Sequence, residues 1–142
     1  MDNIESFVNP RVEDYYHNFD HNCAMTTLYI LAEYFNIKIE PQVIDSANGL
    51  GGLGEYGGQC GLVSGAIMFI GIRGRERGWD KEKILEKSRE YAAQFHNKFN
   101  SLECKVLRPE GFKPENPPNI CEPITCRAIK FDIEFITNIF SE

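Results

Sequence analysis

The stretch GGLGEYGGQCGLVSGA, residues 51–66, decides the reading of this chain, because two opposite kinds of sequence meet in it at Cys60. Before Cys60 the glycines rule out regular structure and make a loop. After it the chain is apolar on nearly every side, with Leu62, Val63, Ala66, Ile67, Met68, Phe69 and Ile70. That pattern predicts a buried helix in the middle of a domain. Gly61 and Gly65 are four residues apart and share one helical face, so a neighbouring helix can approach the bare backbone there. Gly71, Gly74 and Gly78 loosen and end the helix. Gly52, Gly54 and Gly57 formally spell GxGxxG, but that fingerprint works only as a turn between a strand and a helix, and PQVIDSANGLG supplies no strand. No Gly-Lys-Ser/Thr follows, which excludes a P-loop.

Working outward, NCAMTTLYILAEYFNI carries Leu28, Leu31, Ala32 and Phe35 at the spacing of one helical face. Asp20 or Asn22 is its expected cap, which places Cys23 at its first turn. Pro41 opens a short helix that Asn48 and Gly49 end. DKEKILEKSREYAAQFHNKFN is amphipathic, with Asp80 as N-cap and Ile84, Ser88, Tyr91, Phe95 and Phe99 down one side. RPEGFKPENPPN, with four prolines, is a loop. A last helix starts near Pro123 and aligns Ile129, Ile133, Ile136 and Phe140, leaving Cys126 in its first turn. No alternating strand pattern, repeat or low-complexity tract appears. The expectation is all-α: one compact domain over residues 1–142, of about five helices, with the glycine-rich loop before a buried central helix.

The chain has 142 residues, a net charge of -6 and a pI near 5.1, with no basic stripe, which argues against a nucleic-acid partner. The first twenty residues are acidic and lack the apolar region of a signal peptide, so the expected compartment is cytoplasmic. The longest apolar-rich run, residues 62–72, is about half of what a spanning helix needs, so no membrane insertion is expected. Phenylalanine-rich terminal helices make a homodimer plausible.

Five cysteines, Cys23, Cys60, Cys104, Cys121 and Cys126, are many for a chain of this kind and cannot all pair internally. A helix N-terminus stabilises an anion, and a thiolate is one. Cys23, Cys60 and Cys126 each fall near an expected helix start, which suggests a centre where such starts converge. Lys105 and Arg108 are close in sequence to Cys104 and favour a thiolate there if they face it. The Cys121–Cys126 spacing fits neither a CxxC redox site nor a common zinc ribbon. In HNFDHNC, His17 and His21 would share a face if helical, which allows metal ligation; a c-type haem is excluded because CxxCH is absent.

In order and context these features resemble the redox-active protein family named for its C_GCAxxG_C_C pattern. Cys23 in NCAMTTL is similar to the family's first cysteine, Cys60 in CGLVSGA to its CGAxxG motif with Gly61 and Gly65 in place, and Cys104 in SLECKVL to its third. The fourth is Cys121 or Cys126. Leu62 stands where the pattern has Ala, and one cysteine is extra. The resemblance implies redox activity carried by cysteine. The leading expectation is dithiol/disulfide chemistry with an unidentified redox partner. Cys60 is its most activated thiolate; Cys23, Cys104 and Cys121 or Cys126 complete the pairs. Gly57, Gly58 and Gly61 would give a partner or cofactor access to Cys60. One alternative is a metal ion or iron–sulfur cluster held by Cys23, Cys60, Cys104 and Cys126, with His21 as an extra ligand. Another is a non-catalytic helical binding module with structural cysteines.

Overall fold

The computed structural model describes residues 3–141; Met1, Asp2 and Glu142, the ends of the expected domain, lie outside the described residues. Among these residues there are eight helices: α1 (Asn3–Asn18), α2 (Cys23–Phe35), α3 (Pro41–Ser46), α4 (Gly52–Glu55), α5 (Gly61–Glu76), α6 (Lys81–Phe99), α7 (Cys104–Leu107) and α8 (Glu122–Ile139). The all-α expectation holds, but about five becomes eight. The additions are the long α1 and the single turns α4 and α7. The described residues contain no longer strand pairing than one antiparallel bridge, Gln59 with Glu103.

The caps follow from side-chain chemistry. Asn22 Oδ1 accepts from the Met25 amide at 2.8 Å and starts α2; Asp80 Oδ1 accepts from the Lys83 amide at 2.9 Å and starts α6. Pro41 sits at the start of α3, where a missing N–H costs nothing. Asn36 in the left-handed conformation ends α2.

The most extensive packing is α2 on α5. It rests on the glycine pair: a Cβ on Gly65 would lie 2.7 Å from the Ala24 carbonyl oxygen, and one on Gly61 would lie 3.0 Å from the Ala24 amide and Cys23 Cβ. Helix α5 is therefore seated backbone to backbone against the first turns of α2. Leu28, Leu31, Phe69, Ile70, Ile129 and Ile133 fill the space where α2, α5 and α8 meet. Helix α6 closes α5 with Tyr91 and Phe95, whose rings meet Phe131 and Phe135 of α8. Much of the phenylalanine content is thus spent inside the domain. Helix α1 lies along α8 through Val8, Val12 and Tyr16, all buried.

The glycine loop has a definite shape. Gly52, Leu53, Gly54 and Glu55 all have positive φ (63°, 55°, 68° and 64°), so α4 is a left-handed turn. Two glycines make half of it free of steric cost. Its purpose is proximity, since a Cβ at Gly52 would sit 2.9 Å from Cys104 Sγ.

Candidate functional site

Four cysteines line one cavity of about 290 Å³: Cys23, Cys60, Cys104 and Cys121. They come from four separate segments, and each stands at a helix start. Cys23 is the first residue of α2, Cys104 the first of α7, Cys60 the N-cap of α5 and Cys121 the N-cap of α8. The expected convergence of helix starts is present, with a different membership. Cys126 lies in the second turn of α8 and opens onto surface grooves beside Asn9, Pro10 and Lys130. Cys121, five residues earlier, is the one at the helix start, so the fourth cavity cysteine is Cys121.

The assembly has identifiable struts. The Cys60 amide donates to the Leu102 carbonyl at 2.8 Å and the Cys104 amide to Gly58 O at 2.6 Å, on either side of the single bridge. Gly57 accepts from the Lys105 amide at 3.1 Å. Gly57 and Gly58 therefore hold Cys104 in place and line a separate surface groove, whereas Gly51, Gly52 and Gly61 line the thiol cavity. Leu62, where the family pattern has Ala, forms part of the cavity wall. The proline-rich loop contributes Arg108, Phe112 and Asn119 to the cavity lining. Arg108 Nε donates to the Gly111 carbonyl at 2.6 Å, its guanidinium lies 3.9 Å from the Phe112 ring centre, and Nη1 points at Cys121 Sγ at 3.8 Å.

These contacts order the thiols by acidity. Cys23 and Cys121, which line the cavity together, act on each other's protonation. The neighbouring Cys23 thiol brings Cys121 down to about 6; Arg108 adds to the lowering, against the opposing effect of burial. Cys23 rises well above the ordinary thiol value, because of the neighbouring Cys121 and its own burial. Burial pushes Cys60 up to about 11, although the Leu62 and Val63 amides at the start of α5 act to lower it. Cys104 is raised, mainly by burial. The surroundings thus favour a thiolate at Cys121 more than at Cys60, where it was expected: both stand at helix starts, but the Arg108 guanidinium faces Cys121. Arg108, which in sequence lies near Cys104, serves chiefly Cys121, while Lys105 is exposed beside Glu103 at 3.6 Å.

His21 reaches the cavity wall within a stack of rings, 5.4 Å from Tyr15 and 5.1 Å from Tyr29, and its pKa is lowered by burial. His17 is elsewhere, its Nε2 at 2.9 Å from Glu122 Oε1. Among the described residues no three or more His, Cys, Asp or Glu side chains are grouped so as to hold a metal ion. The ligand set expected for a metal or cluster is not assembled, since Cys126 faces away from the other three thiols.

Sequence reading missed Tyr16 and Thr125. Tyr16 Oη lies 3.4 Å from Cys23 Sγ and 2.7 Å from Thr125 Oγ1. The recurrence of Ile4, Val8, Val12 and Tyr16 at intervals of four is the signal that carries α1.

A helical domain that presents four thiols of unequal acidity to one small cavity is a thiol-centred redox protein. Residues 21–134 match the family described as Putative redox-active protein (C_GCAxxG_C_C), and the chain belongs to that family. No match is found among curated proteins or among solved structures. Among the described residues no helix is long and apolar enough to cross a membrane.

Proposed function

We propose that the protein exchanges disulfides with a small substrate through Cys121 and Cys23, with Cys60 and Cys104 as a second dithiol. The observation that carries this reading is that Cys23 and Cys121, at the starts of α2 and α8, line one cavity with the Arg108 guanidinium 3.8 Å from Cys121 Sγ. The Cys121 thiolate attacks one sulfur of a substrate disulfide, whose S–S bond breaks and releases a first thiolate. Cys23 then gives up its proton and attacks Cys121 Sγ, and the second substrate thiolate leaves. The two released thiolates take one proton from Cys23 and one from solvent. The substrate disulfide gains two electrons, and Cys23 and Cys121 become a disulfide. The cavity volume favours a low-molecular-weight disulfide. A reducing cytoplasm is the setting in which these thiols persist.

The test uses protein purified without air. Thiols are counted, metal is measured in the same sample, and glutathione disulfide is added before peptide mapping. Reversible loss of two thiols as a Cys23–Cys121 disulfide, with Cys126 free, is the expected result. Five unchanged thiols would leave the non-catalytic helical module, and stoichiometric metal protecting the thiols would replace exchange by ligation; either overturns the proposal.

A further inference from the structure

Helix α1 lies wholly before the matched residues 21–134, yet it reaches the thiol cavity. It is fastened beside Cys121 by the His17–Glu122 contact at 2.9 Å, Glu122 being the first residue of α8. One residue earlier, Tyr16 is buried and bridges three helices: its hydroxyl donates to Cys23 Sγ on α2 at 3.4 Å and meets Thr125 Oγ1 on α8 at 2.7 Å.

A phenol has one proton to donate. If Tyr16 gives it to Cys23, it must accept from Thr125, which fixes the direction of the row as Thr125 to Tyr16 and Tyr16 to Cys23, with Cys121 and its facing Arg108 in the same cavity. We infer that Tyr16 is a positioning residue for the resolving thiol, its hydroxyl holding the Cys23 sulfur as a thiolate once Cys121 has been consumed in the mixed disulfide. This inference rests on the exchange reading for its purpose, though the hydrogen bond itself does not.

The need for such a donor follows from the step. While Cys121 is a thiolate, its neighbouring charge keeps the proton on Cys23. When Cys121 becomes covalently bound, its sulfur loses its charge, and Cys23 has to ionise where burial disfavours charge. The groups that act on Cys23 are Cys121 from α8, Cys60 from the start of α5 and Tyr16 from α1. The two cysteines make a Cys23 thiolate harder to form, and Tyr16 makes it easier. Tyr16 itself is held well above the ordinary tyrosine range, first by burial, which keeps its proton available for donation.

The test reads Cys23 directly. In full-length protein carrying Cys121→Ser, alkylation of Cys23 by iodoacetamide is followed against pH by peptide mass spectrometry, with Tyr16 intact, with Tyr16→Phe and with Thr125→Val. Tyr16→Phe is expected to move the Cys23 midpoint up by about one pH unit, the effect of one hydrogen bond to a charged group. Thr125→Val removes the bond that ties Tyr16 to α8 and is expected to move it much less. Site-specific 3-fluorotyrosine at position 16 keeps the ring and strengthens the donor, so the midpoint should move down, a shift no loss of packing produces. Midpoints unmoved by either Tyr16 change, or moved equally by Tyr16→Phe and Thr125→Val, overturn the assignment. No disulfide turnover enters this readout. Failed glutathione exchange with the Tyr16 shifts intact removes the exchange purpose, whereas unmoved midpoints with working exchange remove the role of Tyr16.

Discussion

Two glycines on the same helix should respond in opposite ways to the same substitution. Gly65 and Gly71 both lie inside α5, where alanine gains about 1 kcal/mol in helix propensity over glycine. At Gly71 nothing lies within 4 Å of a new Cβ, so Gly71→Ala should stabilise the protein by up to about 1 kcal/mol. At Gly65 the methyl group would lie 2.7 Å from the Ala24 carbonyl oxygen, 3.0 Å from Thr27 Cβ and 3.2 Å from Ala24 Cα. Two of these obstacles are backbone and the third is the fixed Cβ of a branched residue, so no flexible side-chain end can yield. Helix α2 must move away from α5, at an overpacking cost of about 1–3 kcal/mol or more. Net of propensity, Gly65→Ala should destabilise by up to about 2 kcal/mol. Urea unfolding of the two variants and the parent, followed by circular dichroism, measures both. Because the displaced turn begins at Cys23, Gly65→Ala should also weaken Cys23–Cys121 disulfide formation, while Gly71→Ala leaves it unchanged. Equal stability changes of the same sign in both variants would refute the idea that the glycine pair exists for backbone approach.

Arg108→Ala should raise the alkylation midpoint of Cys121 by about one pH unit from its value near 6, because a facing cation favours the thiolate; at pH 6 the rate should fall about fivefold. An unchanged pH–rate profile would place the guanidinium outside the electrostatics of Cys121. Asp132 is fully buried with Tyr91 donating to Oδ1 at 2.5 Å and with Oδ2 unpaired, and burial raises its pKa well above 3.8. Folded protein thus retains a proton that the unfolded carboxyl releases, so stability falls as pH rises above about 4, by about 1.4 kcal/mol per pH unit until the folded carboxyl ionises. Asp132→Asn should remove this slope, so that the variant gains on the parent as pH rises above about 4, read by urea unfolding; parallel curves would show that Asp132 is ionised in the fold.

What the sequence made legible were the features fixed by local rules. Asn22, Pro41 and Asp80 cap or open helices because side-chain and backbone chemistry are adjacent in the chain. The Gly61–Gly65 face announced a close helix neighbour, though not that α2 would be the neighbour. Helix α1 was harder to see because its stripe is narrow, Pro10 interrupts it, and its burial depends on α8, more than a hundred residues later. The choice between Cys121 and Cys126 depended on where α8 begins, a matter of one turn. The acidity order was illegible for a deeper reason. A helix start is visible in sequence, but the guanidinium facing Cys121 comes from a loop thirteen residues away, and the neighbouring thiol from α2.

The distribution of backbone strain points to the same cavity as the thiols do. Six non-glycine residues among those described have positive φ. Asn36 and Asn100 are ordinary left-handed caps ending α2 and α6. The other four are Asp20, Leu53, Glu55 and Asn119, and Asp20, Glu55 and Asn119 line the thiol cavity while Leu53 belongs to the α4 turn beside it. Asp20 and Asn119 tolerate that conformation through their short polar side chains, whereas Leu53 and Glu55 have no such relief and together cost roughly 2–4 kcal/mol. Set against a typical net stability of about 5–15 kcal/mol, this is a large local penalty for one turn. It persists because the surroundings over-determine it: the Glu55 amide donates to Gly51 O at 2.8 Å, and Gly57 and Gly58 anchor the far end through Lys105 and Cys104. A relaxed connection between α3 and α5 would carry no such cost, but it would not press Gly52 against Cys104 Sγ. The strain lies where the cysteines are brought together and is absent from the interior of the core helices, so the glycine loop is shaped by the thiol site rather than by the packing of the fold.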